Sequence, residues 1–364
     1  MTKSKYFEIE NSISNMFEKE HGIFMRNATT AIWALLKALG FKQKKIIIPV
    51  NICYVVPLAI LLSGNEPCFV DIDDNFTIDP AELKKINSKQ AKAVIFPHMY
   101  GNTGNINDIL KICKKKSWVV IEDVAQSLGA KIGNHYVGSF GDFSVTSFGW
   151  GKIIDVNMGG VLCLNSKQLY KETVRIYDSL PVLSEKISSA RQHFSQLYFL
   201  MVDCIENGED LHRLGVPLAY TYNDCFLNKI GSDSDLPFLP ILEKRFKLLQ
   251  KELDIRNQNA QYFQTLIKHE NVSLLSHKKG AIYWRQNLLV KNDRNGLFKY
   301  LKDNKVKASK YFPSIDRFFY PRKGNAFSKS DVMSEQIINL YLGVETTRED
   351  IIGINNLINK FYKE

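Results

Sequence analysis

Between residues 28 and 170, short β-branched apolar runs alternate with stretches whose apolar residues recur at helical spacing. Ile32, Leu35, Leu36 and Leu39 mark one helix face, IIIP (46–49) follows, and a helix over Val55 to Leu62 leads into CFVDID (68–73). AVIFP (93–97), a helix from Asn107 to Lys115, and WVVIED (118–123) continue the alternation. Runs that are apolar throughout belong to strands covered on both faces, and helices between them permit parallel connections. The pattern predicts an α/β fold with a mostly parallel sheet flanked by helices. Each strand closes on a polar or turn cluster (Asp73-Asp74, His98 to Asn102, Glu122-Asp123), so a ligand crevice is expected outside the carboxyl ends of the strands.

The texture changes near Pro240. A long charged amphipathic helix is predicted from Ile241 to Lys268, followed by strand-like pieces at Val272 to Leu275 and Tyr283 to Val290. A helix near Leu297 to Lys302 and a terminal helix from Arg348 to Tyr362 complete the chain. This divides it into a large α/β domain (1–240) and a smaller C-terminal α+β domain (241–364). From about 175 to 240 neither pattern holds: there is an amphipathic helix near 188–205 and a polar loop at Gly231 to Asp235.

Composition narrows the class. At 364 residues, 45% hydrophobic and 24% charged, the chain has the make-up of an ordinary globular protein. The N-terminal MTKSKYFEIENS lacks the apolar run of a secretory signal, and no apolar stretch, Tyr198 to Val202 included, approaches the roughly 20 residues a membrane span needs. A cytoplasmic protein with no membrane partner is expected. The six cysteines (Cys53, Cys68, Cys113, Cys163, Cys204, Cys225) form no CxxC and no Cys/His pattern at zinc spacing, and read as reduced core thiols without a metal. The net charge of +10 suits an anionic small molecule, while the lysines are spread along the chain and form no basic helix for nucleic acid.

Three clusters carry chemistry. RNATTAIWALLKALG (26–40) puts small and hydroxylated residues at a helix start, where free N–H groups favour a phosphate, although Asn27 to Thr30 would equally make a plain N-cap. VVIEDVAQSLGA (119–130) ends a buried strand on Asp123, with Gln126 following; alone, that carboxylate suits a metal, a helix cap or a cationic ring nitrogen. GSFGDFSVTSFGWGK (138–152) ends on Lys152 shortly after Ser147, and an amine partly screened from water can act as a nucleophile. Together, a phosphate cradle, a strand-end acid and a lysine are what pyridoxal phosphate requires.

With IIIPVNICYVVPLAILLSGNEPCFVDID, FPHMYGNTGNI and Gly159-Gly160 added, the chain resembles the DegT/StrS-type sugar aminotransferases, fold type I enzymes of pyridoxal phosphate. The resemblance is close over about 24–164 and loose thereafter, through IRNQNAQYF (255–263), KASKYFPSI (307–315) and the last helix. It implies a seven-stranded-type sheet, Lys152 as Schiff-base lysine and proton carrier, and Asp123 as partner of the ring nitrogen. Gln126 would contact the ring hydroxyl, Cys53 would face the ring, and Ser147 with Thr29 and Thr30 would hold the phosphate. A homodimer is implied, with a partner asparagine reaching the phosphate; Asn223 and Asn228 are the candidates. Where the family usually has glycine at 28, an aromatic at 53, threonine at 151 and Gly-Glu at 157–158, this chain has Ala28, Cys53, Gly151 and Asn157-Met158.

The implied reaction moves an amino group from an amino acid, glutamate, to a keto group on a nucleotide-linked sugar. Rival readings are an aminotransferase for a small keto phosphate or other non-sugar carbonyl, and a non-catalytic regulatory or binding protein on the same fold. A sugar dehydratase of this family would carry histidine in place of Lys152. His98 is read as structural more readily than as an acid. Arg285 and Tyr311 are open between substrate contact and, respectively, a surface salt bridge and a core phenol.

Overall fold

The structure is a computed structural model that describes residues 5–87, 89–206, 211–221, 223–231, 237–322, 324 and 326–363. The chain opens with α1 (Phe7–Met16), β1 (His21–Met25), α2 (Ala28–Ala38), β2 (Lys45–Pro49) and α3 (Val55–Leu62). There follow β3 (Glu66–Val70), α4 (Pro80–Lys85), β4 (Ala91–Pro97), α5 (Ile106–Lys116) and β5 (Val119–Asp123). A small hairpin, β6 (Lys131–Ile132) and β7 (His135–Tyr136), precedes β8 (Phe143–Ser147) and β9 (Gly160–Leu164).

These strands make a seven-stranded sheet in the order β1-β9-β8-β5-β4-β2-β3. The β3, β2, β4, β5 and β8 pairings are parallel, while β9 runs antiparallel to both β8 and β1. Ile46, Ile47, Ile48, Val94 and Ile95 are fully buried, as strands sandwiched between helix layers require. Parallel order leaves the carboxyl ends of β4, β5 and β8 side by side, so His98, Asp123 and Ser147 emerge on one edge of the sheet.

The next segment is helical: α6 (Lys167–Asp178), α7 (Glu185–Glu206), α8 (His212–Thr221) and α9 (Asn223–Phe226). Phe194, Tyr198 and Val202 of α7 join the core around α2 and α3. The polar loop expected at Gly231 to Asp235 lies, beyond Gly231, outside the described residues.

The single long helix expected over 241–268 is two, α10 (Phe238–Lys247) and α11 (Leu249–Leu266). Leu248 leaves helical geometry (φ −95°, ψ 3°) and both pieces keep burying apolar residues, Leu242 on one side and Leu249 and Leu253 on the other. A bend lets one amphipathic pattern follow a curved core, which periodicity alone does not reveal. Then come β10 (Val272–Leu274), β11 (Gln286–Val290), α12 (Arg294–Asp303), β12 (Ala308–Ser309), α13 (Ser328–Gln336), β13 (Ile337–Leu340) and α14 (Arg348–Phe361). The four strands form an antiparallel sheet in the order β10-β11-β13-β12, with Leu288, Leu297, Ile338 and Ile351 in a core of their own. Among the described residues no helix is long and apolar enough to cross a membrane. All six cysteines are unpaired, but Cys204 is exposed on α7 and so is not the core thiol expected: it sits on the outer side of a helix whose inner side carries the aromatic residues.

Candidate active site

Cys53, Asp123, Ser147 and Lys152 all keep part of their surface open at the carboxyl edge of the sheet. Burial pushes the Asp123 carboxyl above its usual range, and the nearby Lys152 ammonium opposes that rise. Burial likewise raises the Cys53 thiol, again opposed by Lys152. The fold therefore gathers Lys152, Asp123 and Cys53 around one point, although they come from three different segments. Asp123 Oδ1 accepts from the Ala125 N–H at 2.9 Å, which fixes the carboxylate at the strand end.

The loop that carries Lys152 is tied at several places. Asp155 Oδ2 accepts from Gly151 N–H at 2.6 Å and Asp155 Oδ1 from Asn157 N–H at 2.9 Å. Arg245 donates to the carbonyls of Ile153 and Asp155, both at 3.1 Å, and Trp284 Nε1 donates to the Gly151 carbonyl at 2.7 Å. Asn157 has φ +62°, a conformation asparagine tolerates better than most residues, and its side chain is exposed.

Below Lys152, Asn27 caps α2 by accepting the Thr30 N–H at 2.8 Å, so the capping role considered for this motif is real. The helix itself leaves the N–H groups of Ala28 and Thr29 unused. Gly160 packs against this turn so closely that a Cβ there would stand 2.9 Å from Ala28 N and 2.7 Å from the Thr146 carbonyl. Gly160 pairs with Ser147 across β8 and β9, which sets Ser147 next to this turn; its Oγ accepts the Gly149 N–H at 3.3 Å and keeps its own proton to donate. Of the two threonines, Thr30 is committed elsewhere: its hydroxyl donates to the Phe226 carbonyl at 2.9 Å, leaving Thr29 as the nearer hydroxyl of the pair for a phosphate.

Gln126 Oε1 accepts the Tyr100 N–H at 2.8 Å, so Nε2 is its remaining donor. His98 is fully buried; Nε2 lies 2.8 Å from Glu122 Oε2 and Nδ1 3.2 Å from the Thr103 carbonyl. It braces the strand ends and takes the structural role. Tyr54 does not stand in for the aromatic missing at 53, because its ring stacks on Tyr198 at 3.8 Å and on Phe194 at 5.5 Å. Asn228 is buried and donates to Asp224 and Cys225 carbonyls of its own chain; Asn223 donates to Asp224.

Beside the Lys152 loop opens a cavity of about 580 Å³, lined among others by Trp150, Phe199, Lys302, Lys307, Lys310 and Tyr311. Arg285 lies on its wall, 5% exposed, with its guanidinium 4.3 Å from the Trp284 ring centroid and Nη1 donating to Ser309 Oγ at 2.6 Å. It is therefore no surface salt bridge. Burial pushes it down to about 10, with Tyr311 and Tyr341 opposing. Tyr311 is half-buried in the same wall, 5.8 Å from that guanidinium. Gly151 makes room for Arg285: its φ is +73° and a Cβ there would come within 3.0 Å of Nη2. The sequence marked an amphipathic helix near 188–205, but nothing in it showed that the α7 residues Phe199 and Val202 would line this wall. A larger hollow of about 940 Å³ around Thr103, Asn105, Lys131 and Lys278 contains none of the three clusters.

These residues fit pyridoxal phosphate. A partly open carboxylate with one tie to its own turn suits a protonated ring nitrogen, a lysine lies beside it, and a helix start packed closely on the backbone of Gly160, with the Ala28 and Thr29 N–H groups free of the helix ladder, suits a phosphate.

Comparison with known proteins agrees. The profile of the DegT/DnrJ/EryC1/StrS aminotransferase family matches residues 2–193 and 240–359. The chain is 24% identical over 370 residues to a GDP-perosamine synthase of Escherichia coli O157:H7, covering 100% of this chain and 92% of that protein. Among solved structures, Helicobacter pylori PseC, an aminotransferase involved in the biosynthesis of pseudoaminic acid, superposes with a TM-score of 0.77 at 17% identity, over 100% of this chain and 92% of the other. An E. coli GDP-4-keto-6-deoxy-D-mannose-3-dehydratase with bound hydrated PLP gives a TM-score of 0.72 at 18% identity, over 98% and 92% of the two chains. The chain belongs to the DegT/DnrJ/EryC1/StrS aminotransferase family and is a pyridoxal-phosphate-dependent aminotransferase.

Proposed function

We propose that the protein transfers an amino group from glutamate to a keto group on a nucleotide-linked sugar. The observation that carries this reading is the basic cavity beside Lys152, where Arg285, Lys302, Lys307 and Lys310 surround a space bounded by Trp150 and Tyr311. Cations around an aromatic-walled space suit an anionic diphosphate with a planar base attached.

When bound, the cofactor supplies an electron sink at the carbon that bears the amino group. Lys152 Nζ holds the cofactor and carries the proton that leaves and returns at that carbon. Asp123 keeps the ring nitrogen protonated, Gln126 Nε2 donates to the ring hydroxyl, and Cys53 lies against the ring as a small soft group. Ser147, Thr29 and the first N–H groups of α2 take the phosphate.

A homodimer in the cytoplasm completes the reading. Leu197, Phe199, Leu200, Leu214 and Tyr220 expose apolar surface on α7 and α8, which suits a two-fold contact with a second copy. The test is a panel: protein in its aminated cofactor form is mixed with keto sugars linked to different nucleotides, free keto sugars and keto phosphates. Turnover of a nucleotide-linked keto sugar well above the others is expected. Faster turnover of a small keto phosphate would replace the sugar reading.

A further inference from the structure

Arg26 is buried in an apolar setting at 6% exposure, directly before the N-cap of α2, and its Nε and Nη1 have no hydrogen-bond partner among the described residues. Burial, and after it the charge of Arg191 on α7, push Arg26 down to about 10, opposed by the Tyr177 phenol. No carboxylate pairs with either arginine among the described residues. A deeply buried guanidinium with idle donors, felt by the charge of a second cation, costs folding energy unless an anion lies beside it.

The surroundings of these arginines border the cofactor cleft. The Arg191 charge also reaches Cys53 and Tyr54, which border the cofactor cleft. Arg191 stands one helical turn before Phe194, which packs edge-on against Phe226 at 4.9 Å. The Phe226 carbonyl in turn accepts from Asn27 Nδ2 at 3.2 Å and from Thr30 Oγ1 at 2.9 Å. Helix α7 is thus docked next to the first turn of α2 through Phe194 and Phe226, and Arg191 lies on the α7 turn that precedes this contact. The family profile matches residues 2–193 and 240–359, so Phe194 and Phe226 lie in the segment outside it.

We infer that Arg26 and Arg191 are phosphate ligands that complete the α2 cradle from within one chain, holding the phosphate monoester of the cofactor together with Thr29 and Ser147. The inference rests on the assignment of this cleft to pyridoxal phosphate. Helix α7 then serves to bring a cation over a helix start that otherwise offers only neutral donors.

Full-length protein freed of cofactor, with Arg191→Gln and Arg26→Gln beside the wild type, is titrated with pyridoxal phosphate and with pyridoxal, following tryptophan fluorescence. Each variant is expected to bind pyridoxal phosphate at least about tenfold more weakly, the size of one lost charge-assisted hydrogen bond, while its affinity for pyridoxal stays unchanged. Arg191 is only half-buried, so its variant serves even where Arg26→Gln fails to fold. Unchanged affinity for pyridoxal phosphate in Arg191→Gln overturns the inference and leaves the cofactor assignment intact. So does a raised KM for the acceptor with cofactor affinity untouched, which would give the cations to a substrate phosphate. Equal weakening for both ligands assigns the arginines to structure and also overturns it. A wild type that binds no pyridoxal phosphate removes the cofactor assignment and the inference together.

Discussion

The ring of Tyr54 stacks on the ring of Tyr198 with centroids 3.8 Å apart, joining the residue next to Cys53 to the helix that closes over the site. Tyr198 is 4% exposed and belongs to the core shared by α2, α3 and α7. Tyr198→Ala removes a large buried ring, and a loss of about 3 kcal/mol in unfolding free energy is expected from urea titration. A loss under about 1 kcal/mol would mean that α7 rests on the site without holding it.

Lys152 is expected to be the point of covalent attachment. Wild-type protein incubated with pyridoxal phosphate should show a visible absorption band, and borohydride should fix the cofactor to a peptide containing residue 152. Lys152→Ala should retain no fixed cofactor and lose turnover. Labelling of a different lysine would move the attachment point.

Asp123→Asn tests the ring-nitrogen partner. The amide keeps the shape but removes the charge, so cofactor should remain bound while turnover falls at least about tenfold, since a charged hydrogen bond is worth about 1.5–3 kcal/mol and about 1.4 kcal/mol is a factor of ten. Turnover equal to the wild type would make the carboxylate a structural group only.

Glu122 should set part of the acid limit of stability. Burial would push its carboxyl up, but the His98 contact and the N–H groups of Gly141 and Gly138 outweigh burial and hold it below the ordinary value. A depressed folded-state value means the contribution is present above the unfolded value of about 4.3 and is lost as pH falls through the folded one. Glu122→Gln should therefore cost about 3 kcal/mol at pH 7, with the gap to wild type narrowing below about pH 4. Urea unfolding at several pH values measures this; a gap independent of pH would show that the wild-type group is already neutral.

The sheet and the chemistry at its edge were legible in the sequence because both are local patterns. Apolar runs such as IIIP and AVIFP announce doubly covered strands, and Asp123 and Lys152 each sit at the end of such a run or shortly beyond it. Contacts between distant segments left no such trace. Nothing in the sequence marks Arg26, and only the folded chain buries it with idle donors and within reach of the Arg191 charge. Thr30 looked like a phosphate ligand until Phe226, almost 200 positions later, claimed its hydroxyl. The bend at Leu248 escaped for another reason: α10 and α11 carry one continuous amphipathic pattern, and curvature is not written in periodicity.

The missing side chain at Gly151 has a consequence for the cation beside it. The backbone there is left-handed, and the space a Cβ would take lies 3.0 Å from Arg285 Nη2. A threonine at 151 would therefore meet a strained backbone and need the guanidinium to give way by a few tenths of an ångström. The glycine thus leaves the lysine loop free to lie flat against a cation that comes from a segment more than a hundred residues away.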